Sequence, residues 1–284
     1  MMKKKFLVIA SSCLVLFGLV GYNKQLVEGP VFAKDKIITK YKYDRSDEKK
    51  AAKIEADNSK KEKHIQSLDK KIASLRKQLK KYSGAHAVES VSQAKLANLT
   101  YSGQNVITVN NNDPEFSKSD LSTSQGAWQR YGNLDNQNRV TAANALLNQS
   151  LMPTSKREPL HVNPTGWHNK RIASGWIYNR CHLIGYQLTG QNNNLKNLMT
   201  GTRQLNDPDM LRYENEVADY IKESSKNYVR YRVTPIFRGS ELLARGIEME
   251  GQSISSNRVH FNVYIFNVQD GIKLNYTDGT SRIG

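Results

Sequence analysis

Trp176-Ile177-Tyr178-Asn179-Arg180-Cys181-His182-Leu183-Ile184 is the stretch on which the fold turns. Its aromatic and β-branched start favours extended backbone, so His182 is expected at the end of a strand. An Asn-rich loop follows, containing Asn192, Asn193, Asn194 and Asn197. Beyond it, Asn206 or Asp207 suits a helix cap with Pro208 in the first turn. Met210, Tyr213, Val217 and Ile221 then recur at steps of three and four, the signature of one helix face. Eight helical residues turn about 800°, which places Asn206 and Glu214 on roughly the same side.

A strand ending in His, a loop, and a helix opening with Asn suit phosphodiester hydrolysis. One cation held by an Asn oxygen and water neutralises charge on the phosphate, while a neutral His takes a proton from the attacking water. Mg²⁺ keeps much of its water shell and needs only one or two protein oxygens, which fits so sparse a set. Arg180, beside the His, is placed to clamp the scissile phosphate. Lys170, Arg171 and Arg203 are the other basic residues nearby and are expected as phosphate contacts, giving affinity that falls as salt rises.

The segment resembles the DNA/RNA non-specific endonucleases, the ββα-metal or His-Me finger nucleases, among them secreted and competence-associated streptococcal DNases. Where that family reads Asp-Arg-Gly-His, this chain reads Asn179-Arg180-Cys181-His182. The likeness extends through Asn197-Leu198, Asn206 and Glu214. Upstream it runs through Gly132-Asn133-Leu134-Asp135, Arg139-Val140, Ala143-Asn144-Ala145 and Pro164-Thr165-Gly166-Trp167, covering roughly residues 100–280.

The resemblance implies an α+β fold, a ββα-metal (His-Me) finger with a central antiparallel sheet. It implies Mg²⁺ as cofactor, Mn²⁺ as its substitute, DNA as substrate with RNA left open, and products with 5′-phosphate ends. By match, His182 is implied as general base, Asn206 as direct Mg²⁺ ligand, Asn197 as a residue orienting the site, and Glu214 as a partner of metal-bound water. Asn179 and Cys181 depart from the family pattern: the first removes a negative charge near the His, and the second puts a side chain where a glycine is usual. Cys181 reads as packing rather than as a nucleophile. His64, His86, His161, His168 and His260 lack such company and are left as structural. The competing reading is a surface DNA-binding or adhesion protein whose site has decayed and whose coiled coil does the work. A cell-wall hydrolase fits the export signal but no motif. No zinc-finger spacing or helix-turn-helix is present, so no base-specific recognition is expected.

Outward from this core, the chain has 284 residues with 42 Lys and Arg against 26 Asp and Glu, a net charge of +16 that favours a polyanionic partner. The excess is concentrated in residues 1–100, with 22 basic and 10 acidic residues against 20 and 16 in the remainder. Bulk charge is therefore a weak argument for the globular part. Lys3, Lys4 and Lys5 precede an apolar run from Phe6 to Val20, so residues 1–22 read as a secretory signal or membrane anchor. No clear small-x-small site follows, and both the cleaved, secreted form and the form anchored on the outer face of the cytoplasmic membrane stay open.

Residues 44–82 lack Pro and Gly and carry Ile65, Leu68, Ile72, Leu75, Leu79 and Tyr82 in heptad steps, with Ile54 in register further back and Lys61 interrupting. They read as a helical stalk, either self-associating through 54–82 or acting as a single-helix spacer. Residues 83–104 read as a linker and 105–284 as one domain. Within that domain strands are expected at 106–109, 228–237 and 259–266, and a short helix at 141–149. The two cysteines, Cys13 and Cys181, offer no intramolecular disulfide, so a core of about 180 residues must stand unaided.

Overall fold

A computed structural model describes residues 46–83, 92–173 and 175–284. The signal or anchor expected at 1–22 lies outside the described residues. Helix α1 (Ser46–Ser83) spans most of the residues read as a helical stalk, with Asp47 and Glu48 in its first turn where they complement the helix dipole. Its heptad side chains Ile54, Ile65, Leu68, Ile72 and Leu75 are exposed. No helix among the described residues is long and apolar enough to cross a membrane.

The elements that follow are α2 (Gln93–Ala97), β1 (Val106–Thr108), β2 (Trp128–Tyr131), β3 (Ala143–Leu147), β4 (Arg171–Ile172), β5 (Gly175–Trp176) and β6 (Tyr178–His182). After these come α3 (Tyr186–Thr189), β7 (Leu198–Thr202), α4 (Leu211–Glu223), β8 (Val229–Ile236), β9 (Gly246–Ser253), β10 (His260–Phe266), β11 (Ile272–Leu274) and β12 (Ser281–Ile283). Six strands make one antiparallel sheet in the order β1-β10-β9-β8-β3-β2. Alternation fixes its faces. Ala143, Ala145 and Leu147, Tyr231 and Val233, Ile247 and Met249, and Phe261, Val263 and Ile265 all join one core with Val217, Ala218 and Ile221 of α4. The opposite face carries a buried polar layer, where Glu250 accepts hydrogen bonds from Arg232 Nε and from the Glu115 amide.

Two expectations are corrected here. Residues 143–147 are a strand rather than a helix: Ala143 and Ala145 favour helix in isolation, but β3 is paired on both sides, by β2 and β8, and tertiary pairing overrides local propensity. Within the expected linker, Ser92 caps α2, and Leu96 and Ala97 are buried against Ile236, Tyr264 and Phe266, so this turn belongs to the domain core.

Strands β6 and β7 form a separate antiparallel pair with His182 opposite Leu198, and a helical segment follows, completing a strand-strand-helix unit. One wide π-type turn, Leu205–Met210, precedes α4. Neither Asn206 nor Asp207 caps α4 as expected; Asp207 is extended (φ −147°, ψ 116°), and Met210 stands at the cap position without a side-chain bond. Behind β6, Ile177 and Tyr178 pack on Leu243 with Trp167 and, from the C-terminal hairpin, Ile272 and Leu274. The strand that leads into His182 is thus held by its own small core.

Candidate active site

His182 closes β6 and is 6% exposed. Its Nε2 lies 2.9 Å from the carbonyl oxygen of Asn192. A carbonyl only accepts, so Nε2 carries the proton and Nδ1 keeps a free lone pair. Burial pushes the imidazole down to about pKa 4, against the pull of the Asn192 carbonyl and with help from the Arg157 charge. The ring is therefore neutral near pH 7 and chemically a base. The Asn192 carbonyl fixes its orientation.

Asn197 is fully buried, and its Oδ1 accepts from the Ile184 amide at 2.9 Å while its Nδ2 donates to the Ile184 carbonyl at 3.0 Å. It clamps the backbone just past His182. The Asn-rich loop has a second function in the fold. Asn192 Nδ2 donates to the Glu158 carbonyl, Asn193 Nδ2 donates to the Pro159 carbonyl, and Asn193 Oδ1 accepts from the His161 amide. Those bonds tie down the segment that carries Arg157.

A cavity of about 1110 Å³ opens here, lined by His182, Asn206, Glu214, Arg157, Arg180 and Asn179 among others. Glu214, on α4, points at Gly185: a Cβ on that glycine would lie 2.6 Å from the carboxylate, so a side chain there would require the end of Glu214 to shift. Burial raises the Glu214 carboxyl to about pKa 7, opposed by the Gly185 amide, Arg157 and Gln187. Among the described residues, the carboxamides of Asn206 and Asn179 form no side-chain hydrogen bond, which leaves their oxygens available to a ligand in the cavity. The donors are hard oxygens, and no group of three His, Cys, Asp or Glu is poised to hold a metal among the described residues. Such a set fits Mg²⁺ or Mn²⁺, which take few protein oxygens and keep their waters, better than tetrahedral Zn²⁺.

The other expected residues separate. Arg180 lines the cavity, but its Nε donates to the Val162 carbonyl, its Nη2 to Asn163 Oδ1, and its guanidinium stacks 4.6 Å from the Trp167 ring centroid. It braces the cavity wall as well as charging it. Lys170, Arg171 and Arg203 do not line the cavity: Lys170 Nζ donates to the Ser281 carbonyl, and Arg171 is exposed on β4. Cys181 is fully buried against Met210, and burial pushes its thiol well above the usual range, which suits packing. It fits because Gly201 stands beside it, where a Cβ would come within 2.7 Å of its own. Arg157, Gly185, Asn192 and Trp176 are site residues that the motif did not point to, and His168, left as structural, lines the same cavity.

Residues 121–255 match the family described as DNA/RNA non-specific endonuclease. A deoxyribonuclease of Streptococcus dysgalactiae subsp. equisimilis is 26% identical over 193 residues, 52% of this chain and 59% of that protein. The chain thus spans somewhat over half the length of this relative. Among solved structures, NucA of Streptococcus agalactiae with a magnesium ion bound is 26% identical, with a TM-score of 0.58 over 68% of this chain and 94% of that one. The Sda1 nuclease with a bound zinc ion, at 24% identity and TM-score 0.50 over 55% of this chain and 79% of that one, shares the fold.

Proposed function

We propose, from the match of residues 121–255 to the DNA/RNA non-specific endonuclease family, that this protein is a metal-dependent, sequence-nonspecific endonuclease that hydrolyses DNA, with His182 as its general base. The observation that carries the reading is one cavity lined by a neutral His182 with its Nδ1 lone pair free, an Asn206 carboxamide with no hydrogen-bond partner among the described residues, and the Glu214 carboxylate.

Nδ1 of His182 takes a proton as water oxygen attacks phosphorus, the bond from phosphorus to the 3′ oxygen breaks, and that oxygen takes a proton from a second water, leaving a 5′-phosphate and a 3′-hydroxyl. Asn206, with Glu214 lining the same cavity, would hold Mg²⁺, or Mn²⁺ as its substitute, and the bound ion would supply charge neutralisation for the phosphate. Arg157 and Arg180 hold the scissile phosphate from the cavity wall. Lys170, Arg171 and Arg203 contact the strand only beyond it. Asn197 and Asn192 keep the imidazole in place. RNA offers the same diester to this machinery and is included as a second substrate.

Lys3 to Lys5 and the apolar run that follows support an extracellular location, secreted or tethered. The exposed stripe Ile65, Leu68, Ile72 and Leu75 supports self-association of α1. In heptad register, Ile falls at the a positions and Leu at the d positions, a combination that favours two parallel strands. Leu68→Asp with Leu75→Asp is expected to halve the mass of the full chain in sedimentation equilibrium, whereas an unchanged monomeric mass in both proteins contradicts the association.

Gly185→Ala should leave the melting temperature close to wild type, because the flexible end of Glu214 can swing away from the new methyl. It should lower cleavage roughly 10- to 100-fold, since displacing a positioned group by about 1 Å costs on that order. Circular dichroism melting and initial rates on the same preparation check both halves. The reading as a whole is tested by digesting duplexes of unrelated sequence and mapping the product ends: scattered cuts bearing 5′-phosphates are expected, and a fixed recognition site or intact DNA contradicts it.

A further inference from the structure

Trp176 occupies the two-residue strand β5, opposite Arg171 of β4, and lines the same cavity as His182. Its side chain is 54% exposed, the most exposed aromatic of those described in the domain. Trp167, on the same wall, already has Arg180 stacked against its ring. Trp176 has no aromatic or cationic ring partner among the described residues. It is nonetheless held in place, because Ile177 next to it is buried and its amide donates to the Lys170 carbonyl. An indole fixed at the edge of a phosphate-handling cavity, with its π surface open to solvent, is suited to bind another flat π system.

Resting on the nuclease reading above, we propose that Trp176 is a stacking platform for an unpaired base of the substrate, so that the enzyme favours single-stranded or locally melted DNA over intact duplex. Six residue steps lead from Trp176 to His182, at most about 20 Å of extended chain. That is about six steps of a stacked strand at roughly 3.4 Å each, and fewer of an extended one. A strand whose phosphate lies at His182 therefore reaches Trp176 with a base a few nucleotides away. In a duplex the faces of the bases are hidden in the stack, and the indole meets only backbone and groove edges. Every unpaired base offers a face, so the preference is for strandedness and carries no sequence code.

Stacking of one base on an aromatic side chain contributes about 1–3 kcal/mol, which corresponds to a factor of roughly 5 to 150. The test measures kcat/KM for the full chain on one sequence as a single strand and as a duplex, in the wild type, Trp176→Ala and Trp176→Phe. The ratio of single-strand to duplex kcat/KM is expected to fall by that factor in Trp176→Ala, through KM, and to be largely kept in Trp176→Phe. An unchanged ratio, or equal loss on both substrates, overturns the proposal. Quenching of indole fluorescence by a short oligothymidylate, measured in the His182→Ala background with and without Trp176→Ala, separates the two readings. Quenching that depends on Trp176 in a wild type that cuts nothing keeps the platform and removes the nuclease. Quenching indifferent to Trp176 in an active enzyme does the reverse.

Discussion

His182→Ala is expected to lower the rate of DNA cleavage about 10²–10⁴-fold, the usual contribution of a positioned general base, while DNA binding persists. The loss should fall on kcat, because the arginines assigned to the phosphate are untouched. A second consequence lies in acid stability. Burial holds the folded imidazole near pKa 4, whereas an unfolded His titrates at about 6.5. Between these values the unfolded chain binds the extra proton, so native stability declines as pH falls through about 6.5 to 4, by up to ~3 kcal/mol. Removing the imidazole should flatten that part of the acid loss. Melting temperatures at several pH values for both proteins check it; parallel curves would mean that His182 is not buried as described.

Asn206→Ala should lower cleavage roughly 10²–10³-fold, comparable to deleting one group that stabilises developing charge, and should raise the Mg²⁺ concentration needed for half-maximal rate. The side chain makes no hydrogen bond within the described residues, so the melting temperature is expected to change little. Asn206→Asp keeps an oxygen at the same place and should retain more activity than alanine. Calorimetric titration with Mg²⁺ gives a readout independent of turnover: weakened binding in Asn206→Ala supports the assignment, and unchanged binding moves the ligand elsewhere in the cavity.

The unequal legibility of the site in the sequence has physical causes. His182 and Glu214 could be read because a strand end and a helix face bring them to one cavity, whereas Asn206 reaches it from the irregular turn before α4 and not, as the helical spacing suggested, from the helix itself. Asn197 was legible from its match to the family pattern, and its clamp on Ile184 supplies the reason. Lys170, Arg171 and Arg203 are close to the motif along the chain, but proximity in sequence does not say which side of a hairpin a side chain leaves from. Arg157 is 25 residues before His182 and reaches the site only because Asn192 and Asn193 bind the 158–161 backbone, a long-range contact without a local signal. The misread helix at 141–149 has the same origin: an Ala- and Leu-rich run takes its conformation from the strands on either side of it. Gly201 shows that even the departure at Cys181 is balanced by a residue twenty positions away.

The most direct test of the central claim is digestion of supercoiled plasmid by the full chain with Mg²⁺, after chelation by EDTA, and after Mg²⁺ is added back. Nicked, linear and then fragmented DNA with Mg²⁺, none with EDTA, and recovery on add-back is the predicted result. Cleavage that proceeds undiminished in EDTA, or no cleavage by folded protein under any of the three conditions, would contradict it.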